Sequence, residues 1–138
     1  MAYWLLKTEP EEFSYADLVR RGREPWNGVR NPTALKHMRA MQPGDLAFIY
    51  HTGNERQIVG VCRILSAPYP DPAAGDPRIV LVDVAPEYPL PTPVTLASIK
   101  ADPRFAGWEL VRQSRLSVMP VSAEHWQVLT AMGGRAET

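Results

Sequence analysis

Residues 45–65, with the sequence DLAFIYHTGNERQIVGVCRIL, carry the clearest secondary-structure signal in the chain. An apolar, partly aromatic segment (45–51) is followed by Thr-Gly-Asn-Glu (52–55) and then by an apolar segment rich in β-branched residues (57–65). Glycine and asparagine tolerate the positive backbone angles of tight turns, and the flanking residues are strand formers. The pattern therefore predicts a β-hairpin.

Further strands and short helices are predicted on both sides of this hairpin. Polar N-capping residues mark four short helices, at Ser14, Asn31, Thr95 and Ser122. Apolar or aromatic runs predict strands at 2–7, 78–88, 108–113 and 116–121, with a proline-rich loop at 66–77 and an extended linker at 89–93.

The order of these elements favours an α+β fold. Strand–helix alternation does not persist, and no glycine-rich phosphate loop follows a strand, which argues against a wound parallel sheet. We therefore expect a small curled sheet or open β-barrel flanked by short helices. The length of 138 residues fits a single domain over residues 1–138.

Composition and charge exclude several classes of protein. No apolar run approaches the ~20 residues of a membrane span, and the single Cys62 agrees with a reducing compartment, so a cytoplasmic location is expected. The three histidines lie far apart in the sequence, which predicts neither a metal site nor a cofactor. The 15 basic residues balance 15 acidic ones, so the chain should not coat nucleic acid by charge alone, although a local basic patch is compatible with this balance.

The segment EPWNGVRN (24–31) is the first candidate for a binding site. Trp26 stands one residue before the Asn-Gly turn signal, with Arg30 and Asn31 close behind it. A tryptophan at such a turn either covers the edge of the core or offers a flat surface for stacking a base. Trp4, Trp108 and Trp126 lie inside strand or helix patterns and are interpreted as core residues.

The segment VRQSRLS (111–117) is a candidate contact surface. It combines Arg112 and Arg115 with uncharged hydrogen-bonding residues, among them Ser114, and contains no acid. Arginine suits phosphate and planar-base contacts. The alternative interpretation is a solvated edge strand whose charges discourage aggregation.

The segment LLKTEP (5–10) is the third candidate. In a strand, Lys7 and Glu9 project to one face and Thr8 to the other, which predicts a Lys7–Glu9 ion pair or a polar strand end at a pocket. His51 is interpreted as a hydrogen-bonding structural residue, because the sequence shows no partner acid and no order of nucleophile, histidine and acid.

Several ordered segments resemble the EVE domains of the PUA-like superfamily, which are related to YTH domains and to the thymocyte nuclear protein. The matching segments span residues 2–132 and are YWLLKTEP, WNGVRNPTALKHMRAMQPGD, FIYHTG, IVGVCRI, YPDP, PVTL and LVRQSRLSVMPV. Thr8 and Thr52 replace serines that are usual in the family, and both substitutions keep a hydroxyl group. Pro32 replaces an aromatic residue that is often found there.

The resemblance implies a small barrel with a pocket that accepts one flipped, modified base, a methylated or hydroxymethylated cytosine or adenine in DNA or RNA. Trp26 corresponds to a tryptophan of an aromatic cage, and Tyr69 would form a second wall. The base-binding residues would be Thr8, Trp26, Asn27, Asn31, Tyr50, Thr52 and Tyr69. The phosphate-binding residues would be Arg30, Arg112, Ser114 and Arg115. No enzymatic activity, membrane or metal is expected, and a monomer is favoured.

The competing hypothesis is an enzyme. ASCH domains are also PUA-like and include amide hydrolases that act on modified nucleosides such as acetylcytidine. Lys7, Thr8 and Glu9 are the residue types that such a site uses. Alternating strand positions separate Thr8 from the other two, which disfavours a compact trio. An adaptor that uses the proline-rich loop is the third alternative.

Overall fold

The computed structural model describes residues 1–135. The strands are β1 (Tyr3–Thr8), β2 (Glu24–Trp26), β3 (Leu46–His51), β4 (Gln57–Ile64), β5 (Tyr69–Pro70), β6 (Val80–Thr95) and β7 (Val118–Val121). The α-helices are α1 (Tyr15–Arg21), α2 (Pro32–Arg39), α3 (Leu96–Ala101), α4 (Glu109–Arg112) and α5 (Ala123–Met132), and a 3-10 turn covers Pro103–Phe105. Within these described residues, no helix is long and apolar enough to cross a membrane.

The strands form one curled, mixed sheet in the order β2-β6-β4-β3-β1-β7, with β5 paired to β6 outside this path. β3 and β4 are antiparallel neighbours, which confirms the predicted hairpin. β1 lies between β3, to which it is parallel, and β7, to which it is antiparallel. Register shifts along β4 bend the sheet on both of its sides, as β-bulges do. The predicted α+β fold with a curled sheet is confirmed.

The four predicted N-cap residues lie at the starts of helices. Ser14 forms a capping box with Asp17 at the start of α1, which ends at Gly22 in the left-handed conformation (φ 75°). Asn31 Oδ1 accepts hydrogen bonds from the backbone N–H groups of Thr33 and Ala34 at the start of α2, where Pro32 occupies the first turn. The caps at Thr95 and Ser122 are also present.

The core lies between the sheet and the helices. Trp4, Trp108 and Trp126 are buried, which confirms the interpretation of these three residues. The Trp126 ring stacks on Phe48 with a centroid separation of 3.9 Å and on Tyr3 with a separation of 4.5 Å.

Asp45 is a buried carboxylate at the start of β3. It accepts hydrogen bonds from Trp4 Nε1 (3.0 Å), the backbone N–H of Ala2 (3.1 Å) and the backbone N–H of Gln42 (3.0 Å). These three bonds join the beginning of β1 to the turn between α2 and β3. The carboxylate therefore satisfies one buried donor, the Trp4 indole, and two partly buried backbone donors.

Tyr15 and Gly60 fix the position of α1 against the sheet. The Tyr15 hydroxyl donates to the carbonyl of Val61 (2.9 Å), and its ring lies so close to Gly60 that a Cβ atom there would be 2.6 Å away. Burial raises the pKa of Tyr15 to about 12. Only glycine allows this approach, so Gly60 lets the first residue of α1 pack directly against β4.

Two predicted elements are wrong. Residues 108–113 contain the helix α4 instead of a strand, because a segment of four to six residues is too short for its apolar spacing to distinguish the two. Residues 89–93 belong to β6 instead of forming a linker. Pro89 lies opposite Gly60 of β4, and the register shift between Gly60 and Ile58 accommodates the prolines that follow. The short edge strand β2 was not predicted.

Candidate functional site

A cleft of about 520 Å³ opens where β1 ends. It lies between the turn that follows β1 and the segment formed by β2 and the next loop. Its lining residues are 7–9, 12–13, 24–30, Arg21 and Ser117. We call it the Trp26 cleft.

Trp26 is both a core residue and a wall of this cleft. It is buried, with 7% of its surface exposed, and its ring meets the edge of Phe13 at a centroid distance of 6.0 Å and an interplanar angle of 76°. The Arg21 guanidinium lies 5.5 Å from the centroid of the Phe13 ring. The interpretation of Trp26 as a residue that covers the edge of the core agrees with this burial, while its use as a surface for stacking a base stays a prediction.

Phe13, not Tyr69, is the second aromatic residue of the cleft. Tyr69, in β5, is paired with Leu81 of β6, and its hydroxyl donates to Asp83 (2.6 Å). It is not among the residues that line the cleft, so its expected position as a second wall is wrong. Phe13 was not predicted, because an apolar residue just before an N-cap normally packs against its own helix.

The turn at 8–13 holds Thr8 at the cleft. Thr8 Oγ1 donates to the carbonyl of Phe13 (2.6 Å), and the backbone N–H of Phe13 donates to the carbonyl of Glu9 (2.8 Å). Since its proton is used in this bond, the Thr8 hydroxyl offers only lone pairs to a ligand. Asn27, at the exposed rim, presents an amide with both donors and an acceptor.

Lys7 and Glu9 do not form the predicted ion pair. Lys7 Nζ donates to the carbonyl of Ser114 (2.9 Å) and lies 5.6 Å from the centroid of the Tyr50 ring. Glu9 instead accepts a hydrogen bond from Thr52 Oγ1 (3.3 Å). The strand ends at Thr8, so the alternation expected for residues 7–9 is interrupted there, and all three side chains border the same cleft.

Several predicted base contacts lie outside the Trp26 cleft. Tyr50 and Thr52 line a second cleft of about 250 Å³, which also contains Lys7, Arg56 and Lys100. We call it the Lys100 cleft. Tyr50 lies opposite Lys7 in the parallel pairing of β1 with β3, so the two residues share this cleft.

Asn31, Arg112, Ser114 and Arg115 line a third cleft of about 320 Å³, the Arg112 cleft. The structure brings together the three hydrogen-bonding and charged residues predicted at 111–117. Asn31 lies with them instead of with Trp26, because its Oδ1 caps α2. Arg30, the residue before it, does line the Trp26 cleft.

In the described part of the chain, the arginines fall into two groups, those with a carboxylate partner and those without one. Arg20, Arg21, Arg23, Arg63, Arg78 and Arg104 form ion pairs with carboxylates. Arg39 donates to a backbone carbonyl and Arg135 lies over the Tyr88 ring. The other four arginines form no ion pair within residues 1–135, and each lines one of the three clefts; they are Arg30, Arg56, Arg112 and Arg115. Four of the six arginines without an ion pair in residues 1–135 therefore lie at these clefts.

His51 is a buried structural residue, as predicted, but it has a partner acid that was not predicted. Its Nε2 accepts from the backbone N–H of Tyr15 (3.0 Å), and its Nδ1 lies 2.8 Å from Glu55 Oε1. The bond to His51 holds the pKa of Glu55 below its usual range. Both imidazole nitrogens are therefore occupied, and the ring connects α1 to the β3–β4 turn.

The described residues contain neither a cluster of metal ligands nor an exposed thiol. Among residues 1–135, no cluster of three or more His, Cys, Asp or Glu side chains could hold a metal ion. Cys62 is fully buried in β4, and burial raises the pKa of its thiol far above the ordinary value.

The curled mixed sheet with its flanking short helices defines a PUA-like domain. The chain belongs to the EVE domain family, whose model matches residues 2–132. Mouse thymocyte nuclear protein 1 is 29% identical over 164 residues, which cover 94% of this chain and 73% of that protein.

Solved structures of relatives superpose closely on this fold. A protein of Rhodopseudomonas palustris is 47% identical with a TM-score of 0.94, and the match covers 100% of this chain and 97% of that one. Human THYN1, in complex with DNA that contains 5-methylcytosine, is 26% identical with a TM-score of 0.89, over 99% of this chain and 100% of that one. An ASCH protein of Zymomonas mobilis, 13% identical over 99% of each chain with a TM-score of 0.64, shares the fold.

Proposed function

We propose that this chain is a nucleic-acid-binding module that recognises one modified base, a methylated or hydroxymethylated cytosine or adenine, in the Trp26 cleft. The base is bound without any change of its covalent structure. The observation that carries this proposal is a cleft with an aromatic wall that Arg30 lines, beside two further clefts that hold Arg56, Arg112 and Arg115, all four without an ion pair in residues 1–135. A complex of the human relative with 5-methylcytosine DNA supports it.

The size of the cleft suits a single nucleobase. Its volume of about 520 Å³ lies within the usual range of small-molecule sites. The base leaves its stack, which costs a few kcal/mol, and lies against the exposed part of Trp26 and the half-buried Phe13. Because little of the indole is exposed, Phe13 contributes a substantial part of the aromatic contact.

Polar groups at the cleft match the edge of an amino-bearing base. Thr8 offers lone pairs and Asn27 offers both donors and an acceptor. The carboxylates of Glu9 and Glu12 also line the cleft, and carboxylates accept hydrogen bonds from exocyclic amino groups. Arg30, together with the Arg112 cleft, would hold the flanking phosphates.

The first prediction concerns selectivity and salt dependence. Wild-type protein should bind a single strand with one methylated base about fourfold more tightly than the plain strand, because burying one methyl contributes about 0.8 kcal/mol. Arg112→Gln and Arg115→Gln should each weaken both strands alike and lower the salt slope by about 0.7, the value for one phosphate contact on a single strand. Fluorescence anisotropy at several salt concentrations measures both quantities.

Arg63→Gln is the matched control, because it removes the same charge from an arginine that is paired with Glu87 and lies outside the three clefts. It should leave the affinity and the slope unchanged. Equal affinities of the wild-type protein for modified and plain strands would contradict the proposed function.

The second candidate function is an ASCH-like amide hydrolase. Lys7, Thr8 and Glu9 border one cleft, and burial lowers the pKa of Lys7 from its ordinary value, the direction that a catalytic base requires. However, each of the three polar side chains is bound to a different partner, and no hydrogen bond joins any two of them in the described part of the chain.

The second prediction follows from that separation. Acetylcytidine and methylated nucleosides should be recovered unchanged after prolonged incubation with the protein, as measured by chromatography. Turnover of acetylcytidine that disappears in both Lys7→Ala and Thr8→Ala would establish the hydrolase and reject the binding module.

A further inference from the structure

We propose that the Lys100 cleft binds a backbone phosphate of the same nucleic-acid strand, next to the nucleotide in the Trp26 cleft. This inference rests on the proposed function and adds a phosphate site to it. The residues that carry it are Lys7, Arg56 and Lys100, with the hydroxyl groups of Tyr50 and Thr52 beside them.

The charge of the Lys100 cleft is of one sign. Three cations from separate parts of the chain converge there, from β1, the β3–β4 turn and α3, and no carboxylate lines the cleft. By contrast, the Trp26 cleft contains three glutamates among its lining residues. Within residues 1–135, neither Arg56 nor Lys100 forms an ion pair. Like charges that converge repel one another, and an anion in the cleft lowers that repulsion further than the carboxylates at its edge do, since Glu9 is bound to Thr52 and Glu55 to His51.

The backbone holds Arg56 and Lys100 together. Arg56 is the one residue other than glycine with a positive φ (47°) in the described part of the chain. Its carbonyl accepts a hydrogen bond from the N–H of Leu96 (2.9 Å), the first residue of the helix that carries Lys100. The adjacent acid Glu55 is bound to His51 instead of to either cation. A left-handed arginine is unusual and is maintained only by such surrounding contacts.

Lys7 connects the Lys100 cleft to the Trp26 cleft, because it lines both. One of its three N–H donors is used by the Ser114 carbonyl, which leaves two for a ligand. Ser114 in turn lines both the Lys100 cleft and the Arg112 cleft. A phosphate in the Lys100 cleft therefore lies on a continuous surface with the site of the base and with Arg112 and Arg115.

The ligand chemistry is that of a tetrahedral oxyanion. Two ammonium groups and a guanidinium suit phosphate oxygens, and the Tyr50 hydroxyl can supply a further hydrogen bond, whereas the proton of Thr52 is used by Thr8 and Glu9. Inorganic phosphate shares this chemistry, so the test separates it from the phosphate of a strand. The adjacency to the Trp26 cleft through Lys7 favours the strand.

The experiment compares Arg56→Gln and Lys100→Gln with the control Lys36→Gln, an exposed lysine of α2 outside the three clefts. All three variants lose one positive charge at an exposed position, and circular dichroism checks that they fold. Affinity for single strands with and without the modified base is measured by anisotropy over a range of salt concentrations. Binding of inorganic phosphate is measured by calorimetry.

Arg56→Gln and Lys100→Gln should each weaken both strands about three- to fivefold, the range for one exposed charge contact, and lower the salt slope by about 0.7. Lys36→Gln should change neither, and the ratio of modified to plain affinity should stay the same. Unchanged affinity and slope in both cleft variants would overturn the inference. Tight binding of inorganic phosphate that both variants lose, with unchanged strand affinity, would also overturn it.

The proposed function is judged by a separate quantity, the ratio of the affinities of the wild-type protein for the modified and the plain strand. If wild-type protein shows no preference for the modified strand but both cleft variants still lower the salt slope, the phosphate site stands and base recognition fails. If the preference is present and the slope is insensitive to both variants, base recognition stands and the phosphate site fails. Absence of any binding to either strand would overturn both.

Discussion

Trp26→Ala is expected to lower the free energy of unfolding by about 3–5 kcal/mol, the usual cost of removing a buried aromatic side chain. The reason is that the indole is almost fully buried and packs against Phe13 and the core. The folded fraction should also bind a modified strand more weakly by about 1 kcal/mol, at the lower end of the stacking range, because little of the ring is exposed. Chemical denaturation measures the first effect, and anisotropy below the unfolding transition measures the second.

Two further variants separate these effects. Trp108→Ala removes a tryptophan of similar burial that does not line the Trp26 cleft, so it should destabilise the fold without changing affinity per folded molecule. Trp26→Phe keeps an aromatic wall and should retain most of the preference for the modified strand. If Trp26→Ala and Trp108→Ala changed strand affinity equally, Trp26 would act through the core alone and the base site would be misplaced.

Asp45→Ala is expected to destabilise the protein by about 3–5 kcal/mol without affecting the binding of nucleic acid by the folded fraction. The substitution leaves the Trp4 indole N–H without its acceptor, an unsatisfied buried donor that costs about 1–3 kcal/mol, and it removes two partly buried, charge-assisted bonds from the backbone N–H groups of Ala2 and Gln42. The carboxylate lies outside the three clefts. Urea denaturation monitored by tryptophan fluorescence measures the loss.

Asp76→Ala is the matched control for Asp45, because its carboxylate forms an exposed ion pair with Arg78. Such pairs contribute little, so the midpoint should hardly move. Asp45→Asn, which keeps one acceptor oxygen, should fall between Asp45→Ala and the wild-type protein. A midpoint for Asp45→Ala close to that of Asp76→Ala would contradict the importance of this buried network.

The elements that the sequence predicted correctly depend on local signals. Ser14, Asn31, Thr95 and Ser122 cap helices through bonds to residues two or three positions away. The β3–β4 hairpin likewise depends on one short turn. The edge strand β2 was missed because its three residues carry no periodicity, and it exists only through pairing with β6.

The composition of the site depends on distant contacts, so less of it was predictable. Trp26, Thr8, Asn27 and Arg30 line one cleft, the Trp26 cleft, and their contact with a base stays a prediction, whereas Phe13 was missed because its position depends on the turn that folds back onto Glu9. Tyr69 was assigned by family correspondence, and its bond to Asp83 holds it elsewhere. Arg56 and Lys100 are 44 positions apart, and the contact between the β3–β4 turn and α3 that unites them leaves no trace in either segment.

The interior position of β1 in the sheet has a consequence for how the chain folds. β1 begins at Tyr3, yet one of its neighbours is β7, which begins only at Val118. Nearly the whole chain must therefore be synthesised before the sheet can close around its first strand. Pairings between such distant segments lose much loop entropy before they gain contacts, and they place a domain among slow folders, in the range of milliseconds to seconds. Until β7 arrives, β1 presents an unpaired apolar edge, and this nascent state is the one most exposed to aggregation and most in need of a chaperone.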